Sequence, residues 1–154
     1  MAAGDVNTSS GSKIYIGTTA ANGASDSYVE IGEVQNMGDF GRQYEQINYS
    51  TLGDRNVRKF KGQRDDGNIE LELGRKANDS GQAAMIVAMD SDQDYNFKVT
   101  LNDDTDTTGS TPTTFIFKAK VMGYRTNVGG PNQVVGARAT LGIKSGSITE
   151  TAAA

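Results

Sequence analysis

The sequence contains no cysteine, no histidine and no tryptophan among its 154 residues, and the first two absences each remove a class of function. Without cysteine the chain can form neither a disulfide nor a thiolate metal site. Without histidine it lacks the side chain that most often serves as general base or metal ligand near neutral pH. Serine–histidine and cysteine–histidine nucleophile pairs are therefore excluded, and any enzyme built here would depend on carboxylates, lysine or tyrosine.

Proline and long apolar runs are also scarce. The chain has 2 prolines against 19 glycines, a balance that suits many strands joined by tight turns, because proline interrupts sheet ladders. No apolar run approaches the ~20 residues that span a bilayer, so we expect no membrane contact. The first residues lack the basic and apolar segments of a secretory signal, so we expect synthesis in a cytoplasm.

Positive charge is concentrated in one stretch of an otherwise acidic chain, whose net charge is −4 and whose pI is about 4.8. Such a chain gains little affinity from a phosphate backbone as a whole. Two interpretations of the basic stretch stay open: a solvated charged loop, or a loop that docks on acidic turns of another copy. The basic residues are Arg55, Arg58, Lys59, Lys61 and Arg64.

Alternating apolar and polar residues predict about seven short strands. In residues 68–73, for example, Ile69 and Leu71 point inward while Glu70 and Glu72 point outward. The pattern over residues 28–37 slips near Gly32, which is typical of a bulge. The predicted strands cover residues 13–17, 28–37, 44–52, 68–73, 95–101, 114–124 and 134–144, with a further edge strand at 147–150.

One helix is predicted after the strand at 68–73. Asp79 is a candidate N-cap with Gln82 as its capping-box partner, and residues 83–89 are apolar on every face. A helix that is apolar all round is buried on more than one side. The second side is covered either by the chain's own sheet and loops or by another subunit, which would place Met85, Ile86 and Met89 at a subunit boundary.

Two aspartate clusters raise the question of a metal site. The alternating run Asp90, Asp92 and Asp94 begins like a calcium loop, but the required glycine and glutamate positions hold Tyr95 and Leu101. We therefore interpret this run as a solvated acidic turn, and the next cluster as a mobile hairpin tip. We expect no catalytic residue, cofactor or metal site. The second cluster is Asp103, Asp104 and Asp106.

Together these elements predict a mainly β domain over residues 13–150: an antiparallel β-sandwich or open barrel with one flanking α-helix. A flexible arm (1–12), a long loop between the early strands (38–66) and a short tail (151–154) complete the chain. Because open sheet edges attract other strands, we expect these edges to be covered by loops or paired with a neighbouring copy.

Residues 42–73 carry a resemblance to a known family. An extended run ending in Ser-Thr-Leu leads to Gly53-Asp54, a basic segment leads to Phe60-Lys61-Gly62, and Asp66-Gly67 turns into the strand at 68–73. This passage, and the order of elements after it, resembles the tail tube (major tail) proteins of long-tailed bacteriophages. The pair Asp65-Asp66 departs from the single acidic residue expected there.

The resemblance implies a virion structural protein assembled in the bacterial cytoplasm. Six copies would form a ring with a continuous inner barrel, and stacked rings would make a hollow tube that conducts DNA without binding it specifically. The basic loop and the terminal arms would contact the next ring. Partners would be tail terminator, tape measure and baseplate or tip proteins. Glu70 and Glu72, or Glu30 and Glu33, are candidates to face the lumen, although Lys118 and Lys120 also lie on a polar strand face.

Two other classes of function remain open on the sequence. A monomeric β-sandwich module of a cell-surface or fibre protein would bind carbohydrate or protein through an exposed aromatic cluster, whereas the 6 tyrosines here are scattered. An enzyme that uses paired carboxylates is the third alternative.

Overall fold

The computed structural model describes residues 6–103 and 109–153. Part of the predicted N-terminal arm lies outside the described residues, as do Asp104 and Asp106 of the predicted hairpin tip and Ala154 of the tail. The described residues form ten strands and one α-helix, which confirms the prediction of a mainly β protein with one helix. No helix in this part of the chain has the length and apolar character needed to cross a membrane.

The strands differ widely in length, from 2 to 14 residues. The helix, α1 (Ser80–Met89), separates the first six strands from the last four. The strands are β1 (Lys13–Ile16), β2 (Val29–Glu30), β3 (Val34–Asn36), β4 (Tyr44–Tyr49), β5 (Arg58–Arg64), β6 (Asn68–Gly74), β7 (Tyr95–Thr100), β8 (Thr114–Asn127), β9 (Gly136–Ile143) and β10 (Thr149–Thr151).

Eight of these strands form one antiparallel sheet in the order β2-β1-β7-β8-β9-β6-β3, with β10 added beside the first half of β8. The sheet curls into a half-barrel around the core. The remaining strands, β4 and β5, pair only with each other as a separate antiparallel hairpin. The molecule therefore consists of a curled sheet that encloses the core and a hairpin that does not belong to that sheet.

The predicted strand over residues 28–37 is wrong as a single element. It is split into β2 and β3, which lie at opposite ends of the sheet. The backbone turns at Glu33, whose φ is +60°. Ile31 N–H donates to the carbonyl of Ile14 in β1, and Gly74 N–H donates to the carbonyl of Glu33 (2.9 and 2.8 Å). Residues 31–33 thus connect the two end strands of the sheet, and we name them the closing link. The predicted bulge near Gly32 is this link and not an irregularity within one strand.

The core follows the predicted alternation. Along β6 and β9 every second side chain is buried, and the same pattern holds for residues 117–121 of β8. Phe97 and Phe117 stack with ring centroids 5.8 Å apart, and Phe40 meets Phe115 edge-on at 5.1 Å. Removing these apolar surfaces from water is the main source of stability of the sheet. The buried set includes Ile14, Ile16, Ile69, Leu71, Leu73, Met85, Val99, Ala119, Val121, Ala139, Leu141 and Ile143.

The prediction of a long loop over residues 38–66 is wrong in its second half. The strand predicted at 44–52 is present as β4, but residues 58–64 form the strand β5 instead of a loop. The alternation that normally predicts a strand is absent from β5 because neither of its faces is buried in this chain. We name residues 44–64 the hairpin.

Candidate assembly surfaces

The hairpin is exposed along its whole length. The side chains of Ile47, Tyr49 and Phe60 are each at least half exposed (50%, 53% and 54%). The two strands make their extensive contacts only with each other among the described elements. An isolated two-stranded hairpin is marginally stable in water, because it buries little apolar surface. The hairpin is therefore the part of this fold most in need of a partner.

The two faces of the hairpin differ in chemistry. Cross-strand pairing places Ile47 opposite Phe60 and Tyr49 opposite Arg58. These side chains share one surface, which we name the apolar hairpin face. Lys59 and Lys61 alternate with them and so point to the opposite, basic side. One side of the hairpin thus presents an apolar surface flanked by Arg58, and the opposite side presents Lys59 and Lys61.

The structure divides the predicted basic cluster instead of gathering it into one patch. Arg55 lies in the turn, and the other four residues lie in β5. Arg58 is 3.9 Å from Asp54, and the Lys61 amine lies 5.1 Å from the centre of the Tyr44 ring. Arg64 is drawn to the base of the hairpin, where its Nε donates to Asp66 over 2.9 Å. Only Arg55, Arg58, Lys59 and Lys61 remain near the outer part of the hairpin.

Asp66 anchors the hairpin to the sheet. Its carboxylate is buried and accepts hydrogen bonds from the Arg64 guanidinium, from Gly146 N–H (3.1 Å) and from Gln43 N–H (3.3 Å). The Arg64 hydrogen bond lowers the pKa of Asp66 against the opposing effect of burial, and the backbone donors lower it further. Because these donors come from both hairpin ends and from the β9–β10 turn, Asp66 fixes how the hairpin leaves the sheet.

Two of the candidate lumen residues, Glu70 and Glu72, lie on the outer face of the sheet, opposite the core, whereas Glu33 lies in the link between β2 and β3. Glu70 and Glu72 are exposed. The register places Arg138 beside Glu72 and Arg125 beside Arg138 on the same face, and Arg138 pairs with Glu72 at 3.5 Å. Lys120 is on this face as well. The outer face therefore carries charges of both signs and is not uniformly acidic.

The helix is held against the sheet by one buried glutamine. Gln82 donates from Nε2 to the carbonyls of Gly32 (3.2 Å) and Gly74 (2.8 Å), and its Oε1 accepts from Lys76 N–H and the Tyr124 hydroxyl. The predicted N-cap is confirmed, since Asp79 accepts from Gln82 N–H. The Gln82 side chain, however, ties the helix to the closing link of the half-barrel instead of completing a capping box.

The three helix residues predicted at a subunit boundary are separated by the structure. Met85 is fully buried in the chain's own core, while Ile86 and Met89 are 36% and 40% exposed. Val87, which the sequence did not single out, is 65% exposed. The outer side of the helix is therefore apolar and open. Ile86 and Met89 can therefore contact another subunit, whereas Met85 cannot.

The acidic turn after the helix has two exposed carboxylates. Asp90 and Asp92 are exposed, whereas Asp94 pairs with the Lys120 amine at 2.7 Å. Asp103, from the second predicted cluster, is buried and accepts from the amide and hydroxyl of Thr113 (2.8 and 2.6 Å). Those bonds lower its pKa. Across residues 6–103 and 109–153, no group of three or more acidic residues could hold a metal ion.

Two further residues with shifted pKa values, Asp26 and Tyr28, hold a loop against the sheet. Burial would raise the pKa of Asp26, but hydrogen bonds from Asn96, Thr18 and Ser27 outweigh it and lower the pKa to about 2. Burial and the charge of Asp26 raise the pKa of Tyr28 to about 12. Neither value suits a proton donor or acceptor at neutral pH. These groups hold residues 17–28 in place over β7.

Comparison with known proteins rests on the fold. No protein-family model matches the sequence, and no curated protein matches it either. Solved structures do match over nearly the whole chain. A chain of the anti-feeding prophage baseplate, solved with 6-fold symmetry, has a TM-score of 0.72 and 16% identity, covering 99% of this chain and 98% of that chain.

Two further structures extend this similarity to tails. The SPP1 tail tube protein has a TM-score of 0.66 and 15% identity, covering 92% of this chain and 76% of that chain. A chain from the tail of a GTA particle, refined with C6 symmetry, has a TM-score of 0.66 and 13% identity, covering 96% and 100%. The resemblance seen in residues 42–73 is thus confirmed at the level of the fold. This chain has the fold of the tail tube proteins of phages and phage-like injection systems.

Proposed function

We propose that this protein is a structural, non-enzymatic subunit of the tail tube of a phage or phage-like particle. The observation that carries the proposal is the fold match, which covers 92–99% of the chain in three tail and baseplate assemblies. The exposed hairpin supports it independently, because an unpartnered hairpin with an apolar face needs a surface to pack on.

In this proposal the subunits form six-membered rings, as the symmetry of two matching assemblies suggests. The rings stack into a hollow tube through which DNA passes to the host. Closure of a ring satisfies sheet edges that a lone subunit leaves open. The second half of β8 supports this arrangement, because its pairing with β7 ends at Ala119 and only β9 continues beside it. The partners would be terminator, tape measure and baseplate proteins of the virion tail.

The outer face of the sheet is our candidate lining of the tube. Arg138 forms an ion pair with Glu72 there, and Lys120 of the same face pairs with Asp94. Strong phosphate binding needs several lysine or arginine side chains free to displace counterions. These pairs leave fewer cations of the face free to bind phosphate, which suits a channel in which DNA must slide.

The hairpin is our candidate for contacts between subunits. Its apolar face would pack on a neighbouring copy, with Arg55, Arg58, Lys59 and Lys61 steering the encounter. Met89 and Ile86 would lie at or near a subunit boundary. The Asp66 anchor would hold the hairpin in the orientation that this contact requires.

Negative-stain electron microscopy of the purified protein over a range of concentrations tests the proposal. We expect rings or tubes from the unmodified chain. The double variant Ile47→Ser with Phe60→Ser should remain folded and give none, because it removes the apolar hairpin face. The matched control Val128→Ser with Val134→Ser removes two exposed apolar side chains elsewhere and should still assemble. Single particles of monomer size at every concentration would overturn the proposal and favour a monomeric binding module.

A further inference from the structure

Exposed apolar side chains of the described residues are concentrated in three places. The first is the apolar hairpin face, the second is the outer side of α1, and the third is the loop over residues 128–135. The loop contributes Val128 (66% exposed), Val134 (79%) and Val135 (40%). If the hairpin packs on a neighbouring copy, the helix and the loop are the two apolar surfaces available to receive it.

The outer side of the helix forms a continuous stripe. Ala83, Ile86, Val87 and Asp90 are exposed and follow the spacing of three and four residues that places side chains on one helix face. Met89, also exposed, lies beside this stripe. The opposite face is buried against the chain's own sheet. The stripe is thus an apolar strip that ends in a carboxylate.

The end of this stripe carries negative charge that its own chain does not balance. The carbonyl end of a helix is already partly negative, so acidic residues there are unfavourable and basic ones are normally preferred. The last turn of α1 has no basic residue, and Asp90 and Asp92 follow it. Across the described residues no ion pair involves either carboxylate, while Asp94 is already paired with Lys120. These carboxylates therefore destabilise the end of the helix in the single chain, which points to a cation supplied by another molecule.

The hairpin supplies matching cations next to its apolar face. Arg58 lies on that face opposite Tyr49, and Arg55 lies in the turn at its end. Arg58 has only a long, exposed contact with Asp54, at 3.9 Å. The loop at 128–135 offers no such match, because it carries no charged residue and Arg138 beside it pairs with Glu72. Of these two apolar surfaces, the helix stripe alone ends in carboxylates that the hairpin arginines can meet, so charge favours the helix as the receiving surface.

We propose that the apolar hairpin face of one copy packs on the Ile86–Val87–Met89 surface of another, with Arg55 and Arg58 meeting Asp90 and Asp92. The inference rests on the proposed function, and it identifies which surface of the neighbour receives the hairpin. Because the contact joins two different surfaces, each copy can donate its hairpin to one neighbour and receive the hairpin of another, so that the contact repeats head-to-tail. A tube requires contacts of this kind.

Reciprocal charge reversal tests the pairing. The first variant carries Arg55→Glu with Arg58→Glu, the second carries Asp90→Arg with Asp92→Arg, and the third carries all four changes. Each of the first two should raise the critical concentration for assembly at least about tenfold, because like charges then face each other. The four-fold variant restores opposite charges and should assemble near the concentration of the unmodified chain. Critical concentration is measured by sedimentation, with microscopy of the pellets.

A matched control reverses two exposed acids elsewhere, Asp39→Arg with Glu150→Arg, and makes the same change in net charge as the second variant. It should assemble normally, and circular dichroism should show every variant folded. The inference is overturned if either reversal alone leaves assembly unchanged, if the four-fold variant fails to recover, or if the control is equally impaired. Failure of the unmodified chain to assemble would instead overturn the proposed function, so the two failures can be told apart.

Discussion

The hairpin and the β8–β9 pair are both antiparallel two-strand units, yet they depend on their surroundings in opposite ways. In β9 every second side chain is buried, and the opposite edge of this strand pairs with β6. In β4 all the residues are exposed, and within residues 6–103 and 109–153 no third strand joins the hairpin. The same backbone ladder is therefore stabilised within the chain in one region and left unsupported in the other.

This difference separates the residues that stabilise the folded subunit from those that are available for contacts with other copies. Substitutions in the sheet should lower the free energy of unfolding of the subunit, since packing there excludes water from apolar side chains. Substitutions in the hairpin should leave the subunit folded and affect only its contacts with other copies. Substitutions in one region, measured against matched substitutions in the other, therefore test this separation.

The largest loss of subunit stability is expected for Phe117→Ala. Phe117 is 1% exposed and stacks on Phe97, so truncation leaves a cavity and should lower the free energy of unfolding by about 3–5 kcal/mol. The same change at Phe60, which is 54% exposed, should cost no more than about 0.5 kcal/mol. Urea denaturation of both variants checks this. Equal losses at the two positions would show that the hairpin is packed within its own chain.

An intermediate loss is expected for Gln82→Ala. The substitution leaves the carbonyls of Gly32 and Gly74 without their buried donor, and such a loss should lower the free energy of unfolding by about 1–3 kcal/mol. Gln46→Ala is the matched control in the hairpin, because Gln46 bonds only to exposed Asn48. If denaturation finds the two variants alike, Gln82 does not hold the helix to the closing link.

A smaller, pH-dependent effect is expected for Asp66→Asn. The folded state lowers the pKa of Asp66 below the unfolded value of ~3.9. Its ionised form therefore stabilises the fold above about pH 4, and this contribution is lost as the pH falls through the lower folded value. The variant should melt about 3 °C lower at neutral pH and lose less stability than the unmodified chain on acidification. Thermal melts at pH 7, 4 and 3 measure this, with Asp54→Asn as control; parallel acid profiles for Asp66→Asn and the unmodified chain would contradict it.

Much of the sheet could be predicted from the sequence because its strands have one buried face. The alternation of Ile69, Leu71 and Leu73, and of Phe117, Ala119 and Val121, records that burial directly. The N-cap at Asp79 was predictable for a similar reason, since the capping bond is local. These elements carry their structural signal within a few residues of sequence.

The remaining features depend on contacts that the sequence does not display. The strand β5 was missed because four of its 7 residues are lysine or arginine, a composition typical of a charged loop, whereas the equally exposed β4 contains tyrosine and isoleucine. The split of residues 28–37 depends on two hydrogen bonds: Ile31 N–H donates to β1, and the Glu33 carbonyl accepts from Gly74 N–H of β6. These two strands lie far apart along the chain. Gln82 and Asp66 were also missed as structural anchors, because a polar residue shows its partners only after folding.

The basic cluster was predictable in part. Its positive charge was evident from composition, and an interaction with acidic turns of another copy was one of two open interpretations. The division of the cluster between the apolar face (Arg58), the basic side (Lys59 and Lys61) and the Asp66 anchor (Arg64) required the register of the hairpin. Sequence reasoning located the positive charge, and the structure gave the direction in which each side chain points.

Hydrogen exchange of the backbone amides, measured on dispersed subunits and on the assembled form, tests the central claim most directly. In dispersed subunits the amides of β4 and β5 should exchange rapidly while those of β8 and β9 are protected, because only the latter pair is supported by its own chain. After assembly the hairpin amides should become protected to a similar degree. Strong protection of the hairpin in dispersed subunits, or none after assembly, would contradict the account.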